Sequence, residues 1–195
     1  MTTQVLFVQG AGDSVHDQWD DKLAHGLQRG LGPAYRVRYP RMPDEAAPRY
    51  DAWKAALLNE LDSLQDGSVL VGHSIGGTML IHVLAEEPSK FRPGALCLIA
   101  VPFIGDEGWP SDEIRFKARL SDYIPTATPV FLYHGDRDDV VPVAHIHLYA
   151  RAIPRATIRQ LPGRNHQLDN DLQEVAADIR SLGVHELQCS CDSHR

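Results

Sequence analysis

Short apolar runs alternate along the chain with longer segments in which apolar residues recur every three or four positions. A continuous apolar run bounded by Gly, Pro or polar residues is typical of a strand buried on both faces of a parallel sheet. One run, at residues 35–40, alternates between apolar and polar and therefore predicts a strand nearer the sheet edge. Six strands are predicted, at residues 5–8, 35–40, 68–71, 94–101, 128–134 and 156–161.

The segments between these strands have the period of amphipathic helices, with apolar residues on one stripe of each helix. Strict alternation of strand and helix predicts an α/β fold, with a mostly parallel sheet of about six strands and helices on both faces. No second-domain boundary is visible, so we predict one domain over residues 1–184 and a polar, flexible tail over residues 185–195. Helices are predicted at residues 17–31, 51–64, 76–87, 112–120, 142–152 and 172–182.

A serine lies at the sharpest junction of this pattern, in Gly72-His73-Ser74-Ile75-Gly76. The motif follows a predicted strand directly and precedes a predicted helix. A serine at such a turn projects its hydroxyl beyond the sheet, as a nucleophile requires, and its neighbours must be small. We therefore predict Ser74 as the nucleophile.

Two further polar clusters follow strands, and ligands of parallel sheets bind beyond the carboxyl ends of the strands. The first spans residues 134–142 and offers three carboxylates, and the second spans residues 163–166 and ends in His166. A serine nucleophile needs a base, and the base needs a group that orients it. His166 is the predicted base because it combines a position after a strand with a nearby Gly. Spacing alone leaves the acid open among Asp136, Asp138 and Asp139.

Together the motifs at residues 72–77, 134–142 and 163–166 resemble those of the α/β-hydrolase superfamily of serine hydrolases, in their chain order of Ser, acid and His. The resemblance covers nearly the whole chain. The acid loop of that family often reads H-G-x-x-D-x-x-V-P, which implies that the carboxylate is Asp138. Its oxyanion hole, made of two backbone N–H groups, corresponds to Ala11 and Ile75 here. The chain departs from the family pattern at Gln9, where a His is usual.

The other histidines have simpler interpretations. His73 precedes the nucleophile and is expected to pack at the turn, and His134 ends a strand and is expected to support the acid loop. The remaining candidates are expected at the surface, namely His145, His147, His185 and His194.

Composition narrows the class of protein. A net charge of −7, from 19 basic and 26 acidic residues, argues against a nucleic-acid-binding protein. No run is long enough to span a membrane and no leader is visible, so a cytoplasmic location is expected. Cys97 lies in an apolar run, and Cys189 with Cys191 is too small a set for a metal site, so no metal and no cofactor are predicted.

The expected reaction is hydrolysis of a carboxylic ester of a small-molecule acyl substrate, through an acyl-enzyme. Length and sparse decoration resemble the small hydrolases related to retinoblastoma-binding protein 9 and YdeN. The short interval after the fourth strand implies an open site for short or medium acyl groups, with Phe103 and Trp109 as pocket candidates or, equally, as a plug over the sheet. A peptidase, amidase, thioesterase or haloperoxidase-like activity, and a non-catalytic binding protein on the same fold, remain alternatives.

Overall fold

The computed structural model describes residues 2–115 and 117–192, and for residues 183–192 only the backbone. It contains one sheet of six strands, in the order β2-β1-β3-β4-β5-β6, and every neighbouring pair is parallel. The predicted fold is therefore confirmed, including the edge position of the second strand. The strands are β1 (Thr3–Val8), β2 (Tyr35–Arg38), β3 (Val69–His73), β4 (Ala95–Ile99), β5 (Val130–Gly135) and β6 (Thr157–Leu161). The helices are α1 (Asp20–Leu31), α2 (Tyr50–Leu61), α3 (Ser74–Glu86), α4 (Ala144–Ala152) and α5 (Gln173–Asp192).

Side chains of the central strands divide between two cores because successive residues of a strand point to opposite faces of the sheet. In β3, Val69 and Val71 join the core beneath α1 and α5, whereas Leu70 joins the core beneath α2, α3 and α4. Both faces of the central strands are thus covered, which is why these strands are largely apolar. Only the carboxyl and amino ends of the strands are left for polar function.

The interval between β4 and β5 carries less regular structure than the sequence predicts. In its described part, residues 100–115 and 117–129, the only helical element is a 3₁₀ turn at Leu120–Tyr123. The predicted helix at residues 112–120 is therefore wrong. Ile114 and Leu120 are both buried, and residues six apart lie on different faces of a helix. An irregular path buries both.

The C-terminal helix α5 is longer than predicted and runs to Asp192. The predicted flexible tail at residues 185–195 stays a prediction. The side chains of Cys189 and Cys191 lie outside the described residues, and so does His194. No described helix combines the length and the apolar character needed to cross a bilayer.

Candidate active site

The turn between β3 and α3 holds Ser74 in a strained backbone conformation. β3 ends at His73 and α3 begins at Ser74, whose φ is +50°. A left-handed conformation costs a residue with a side chain on the order of 1–3 kcal/mol. Gly76 has to be a glycine because a Cβ there would collide with the carbonyl oxygen of Gln9. Ile75 lies in the first turn of α3, where backbone N–H groups have no partner within the helix.

The loop after β1 packs directly against this turn. A Cβ at Gly10 would lie 3.2 Å from Ser74 Cβ. The N–H of Gly10 donates to Asp20 Oδ2 at 2.6 Å. The next N–H, that of Ala11, has no hydrogen-bond partner among the described residues. Within the part of the chain that the structure describes, the N–H groups of Ala11 and Ile75 thus both lack a hydrogen-bond partner, as the donors of an oxyanion hole need.

Gln9, where the family pattern has His, ties the loop after β1 to the loop between β2 and α2. The side chain is fully buried, its Nε2 donates to Glu45 Oε2 at 2.6 Å and its Oε1 accepts from the N–H of Met42 at 3.1 Å. The carbonyl of Glu45 accepts from the N–H of Gly12 at 2.7 Å. A glutamine suits this position because it supplies a donor and an acceptor at once. The departure from His thus leaves the loop anchored.

Asp138 follows β5 and is bound by four donors. Its Oδ1 accepts from the N–H groups of Val140 and Val141 at 2.9 and 2.8 Å. Its Oδ2 accepts from His166 Nδ1 at 2.8 Å and from His134 Nε2 at 3.1 Å. Burial alone would raise the pKa of this fully buried carboxyl, but these donors hold its pKa well below the usual value. Asp138 is therefore a fixed carboxylate.

The two competing acids lie elsewhere. Asp136 and Asp139 are both exposed, and Asp136 Oδ1 accepts from the N–H of Gly163 at 2.6 Å. Of the three candidates, only Asp138 reaches the ring of His166.

The ring of His166 is oriented by Asp138, and its Nε2 has no hydrogen-bond partner among the described residues. Because Nδ1–H donates to Asp138, the neutral ring carries its lone pair on Nε2. Burial lowers the pKa of His166 and outweighs the opposing effect of Asp138, and the nearby His73 lowers it further. Within the described residues no hydrogen bond joins His166 to Ser74, a contact that often tightens only with substrate bound.

The loop that carries His166 continues into a left-handed turn at Leu168–Asn170, with φ values of 47°, 54° and 58°. The turn is held from two sides. Asn165 Oδ1 accepts from the N–H groups of Gln167 and Asp169, and Arg164 Nη1 donates to the carbonyl of Leu168 at 2.9 Å. Such strain persists only where surrounding contacts determine the backbone fully.

A buried pair behind the serine, Asp20 and His73, was not recognised from the sequence as a unit. Asp20 gives no pattern signal, since an acidic residue in the first turn of a helix is ordinary. Its side chain is fully buried, however, and Oδ2 lies 2.9 Å from His73 Nδ1. His73 Nε2 lies 3.2 Å from the carbonyl oxygen of His166.

Phe103 and Trp109, the pocket candidates, both lie on the loop after β4. Phe103 is buried and stacks edge-on with Tyr149 at 5.1 Å, and Trp109 contacts the ring of His145 at 5.8 Å. Trp109 lines a cavity of about 320 Å³ and Phe103 one of about 210 Å³, and Ser74 lines neither.

His145 was predicted to lie at the surface, and this prediction is wrong. It is buried, and its Nδ1 accepts from the N–H of Phe103 at 2.8 Å.

No three His, Cys, Asp or Glu side chains of the described residues are grouped in a way that could hold a metal ion. The buried thiol of Cys97 lies in the core beneath α1 and α5, and burial raises its pKa to about 12. Because its thiol is buried and the thiol pKa is raised, Cys97 is a poorer candidate for the nucleophile than Ser74.

Comparisons with known proteins agree with this architecture. Residues 5–126, more than half of the chain, match the sequence profile of the alpha/beta hydrolase family. The comparison with curated proteins finds no match.

Similar solved structures include three proteins that are each less than 20% identical to this chain. The ydeN gene product of B. subtilis has a TM-score of 0.70 at 19% identity, covering 94% of this chain and 100% of that one. Est1E from Butyrivibrio proteoclasticus has a TM-score of 0.66 at 17% identity, covering 96% of this chain and 89% of that one. A putative yden-like hydrolase from Pectobacterium atrosepticum has a TM-score of 0.65 at 18% identity, covering 93% of this chain and 92% of that one. The predicted likeness to YdeN-type proteins is thus confirmed at the level of the fold.

Proposed function

The chain belongs to the alpha/beta hydrolase family and is a hydrolase by that membership, and on this premise we propose that it is a serine hydrolase that cleaves carboxylic esters of short or medium acyl groups. The observation that carries the proposal is the buried Asp138 carboxylate bound to His166 Nδ1 at 2.8 Å. This bond leaves His166 Nε2 as a base at the carboxyl ends of the strands, where Ser74 also lies.

The reaction follows from these positions. Ser74 Oγ attacks the ester carbonyl carbon while its proton passes to His166 Nε2. The N–H groups of Ala11 and Ile75 stabilise the oxyanion. His166 then returns the proton to the departing alkoxide, which leaves as an alcohol. The acyl group stays bonded to Ser74 Oγ. A water molecule, deprotonated by the same nitrogen, then attacks the acyl carbon; the bond to Ser74 Oγ breaks, the acid leaves, and the proton passes from His166 Nε2 to Ser74 Oγ.

The acyl preference rests on the sparse cover over the site. The loop after β4 carries Phe103 and Trp109 on an irregular segment rather than on an inserted helical domain. A short cover suits acyl groups that need no long enclosed channel. The cytoplasmic location remains an expectation from the sequence.

Labelling with a fluorophosphonate probe tests the class of mechanism. We expect labelling of the native protein and none of Ser74→Ala, and the variant should lose about 10⁴-fold to 10⁶-fold in kcat. A folded native protein that resists the probe would favour a non-catalytic binding protein. A parallel series of p-nitrophenyl esters, thioesters and aminoacyl amides identifies the bond cleaved. A preference for long acyl chains, amides or thioesters would overturn the proposed substrate while keeping the mechanism.

A further inference from the structure

Asp20 and His73 form a second fully buried ionisable pair near the serine, besides the pair of His134 and Asp138. Both side chains have no more than 1% of their surface exposed. Asp20 opens α1 and His73 closes β3, so the pair joins two elements that are distant in sequence. Asp20 Oδ2 also accepts the N–H of Gly10. The mechanism above uses neither side chain.

The surroundings of the His73 ring decide its protonation. Nδ1 faces the carboxylate of Asp20 at 2.9 Å, and Nε2 faces the carbonyl oxygen of His166 at 3.2 Å. Carboxylate and carbonyl oxygens only accept hydrogen bonds. A neutral imidazole has one donor nitrogen and would direct a lone pair at one of these oxygens. The doubly protonated ring satisfies both contacts, and the carboxylate of Asp20 neutralises its charge.

We propose that Asp20 and His73 are positioning residues, forming a buried ion pair that fixes the backbone of the base and of the oxyanion loop relative to Ser74. The inference rests on the proposed function. His73 holds the main chain of His166, while Asp20 holds the N–H of Gly10 and so directs the following amide, that of Ala11.

The pKa directions agree with this charge state. Burial works against the charged form of His73, yet the Asp20 carboxylate raises the pKa of His73 above its usual value. Burial would raise the pKa of Asp20, but His73 and the N–H of Gly10 lower it. Each partner therefore favours the ionised form of the other.

The pair also has an electrostatic effect on the base. The rings of His73 and His166 have centroids 4.9 Å apart, so a cation at His73 disfavours a second cation at His166. The charged and titratable groups facing these rings are Asp20 from α1 and Asp138 from the loop after β5. His134 contacts Asp138 from β5, and Tyr39 interacts with Asp20 from the segment after β2.

The decisive measurement is a long-range ¹H–¹⁵N spectrum of the histidine rings at about neutral pH. We expect both nitrogens of His73 to be protonated in the native protein and in Ser74→Ala, and His73 to become neutral in Asp20→Asn. A neutral His73 in the native protein would overturn the proposal. Because this readout needs no turnover, it separates failure of the ion pair from failure of the proposed hydrolysis.

Kinetics of the variants test the positioning role. His73→Gln removes the cation and leaves Asp20, so the acid limb of kcat/KM should move up by about one pH unit and kcat should fall by roughly 10-fold to 100-fold. Asp20→Asn combined with His73→Gln removes both charges, and the limb should return towards its native position while kcat stays low.

A matched control is His82→Gln. His82 is buried to a similar degree on α3, its Nδ1 has no hydrogen-bond partner among the described residues, and burial lowers its pKa to about 4. The acid limb should be unchanged in this variant. An unchanged limb and kcat in His73→Gln would contradict the positioning role. If His73→Gln does not fold, the histidine spectra of the native protein and of Ser74→Ala still decide the charge state.

Discussion

Replacing Asp138 with asparagine tests the proposed triad at the contact that fixes the tautomer of the base. The side chains have nearly the same shape, so Oδ1 of the asparagine can keep the N–H bonds of Val140 and Val141. The amide nitrogen, however, replaces the oxygen that accepts from His166 and from His134. An amide nitrogen donates, so His166 Nδ1 must accept and its proton moves to Nε2. The base then has no lone pair for Ser74.

Two effects of this substitution can be given magnitudes. The wrong tautomer in a triad of this kind costs about 10⁴-fold in kcat, which is about 5 kcal/mol of activation free energy. The two N–H bonds that Oδ1 keeps also change from charge-assisted hydrogen bonds to neutral ones. Because bonds to charged groups contribute about 1.5–3 kcal/mol and neutral ones about 1 kcal/mol, the free energy of unfolding should fall by roughly 1–4 kcal/mol.

The assay pairs Asp138→Asn with Asp139→Asn. The neighbouring Asp139 is exposed, so its variant loses the same charge without touching the His166 ring. Ester hydrolysis and thermal unfolding are measured on both, and Asp139→Asn should stay near the native values. A folded Asp138→Asn protein that keeps kcat within about tenfold of the native value would refute the assignment of Asp138 as the acid.

Three further predictions concern the serine turn and the base. Gly76→Ala should abolish activity and lower stability, because its Cβ collides with the Gln9 carbonyl. The control Gly26→Ala in α1 should keep both kcat and the melting temperature, because the atom nearest to its Cβ is 3.6 Å away. Ser74→Gly should melt roughly 2–4 °C above Ser74→Ala, because glycine relieves about 1 kcal/mol of left-handed strain, and an equal melting temperature would contradict that strain. The rate should fall only below pH 6.5 on the acid side, since the pKa of His166 is lowered from that value and the base acts unprotonated, and an acid limb above it would contradict this.

The fold could be predicted from the sequence because, in most of its elements, apolar residues follow the pattern of one type of secondary structure. The buried strand β4 is apolar throughout and β3 is apolar over residues 69–71, and in the helices apolar residues recur every three to four positions. The helix predicted at residues 112–120 was wrong because the charged residues of that segment resemble those of a helix surface. His145 carried a usable signal, since it precedes Tyr149 by one helical turn on the buried face of α4, yet its polarity suggested the surface.

The candidate site could be predicted where a residue follows a strand and could not where its function depends on burial. Ser74, Asp138 and His166 lie beyond the carboxyl ends of parallel strands, a place that topology alone singles out. Asp20 begins a helix after the exposed Trp19, and nothing in that pattern distinguishes a buried carboxylate from a solvated one. Its depth is set by contacts with residues at positions 10 and 73, which only the folded chain brings together.

The two buried carboxylates beside His166 have different tasks in the proposed mechanism. Asp138 holds the imidazole ring, whereas Asp20 acts through His73 on the main-chain carbonyl. Ring and backbone need separate restraints, because the loop continues directly into the left-handed turn at Leu168–Asn170, and a strained backbone relaxes unless its position is fixed independently. A shift of about 1 Å in a catalytic group can cost about 100-fold in rate. One acid therefore sets which nitrogen is the base, and the other sets where that nitrogen lies.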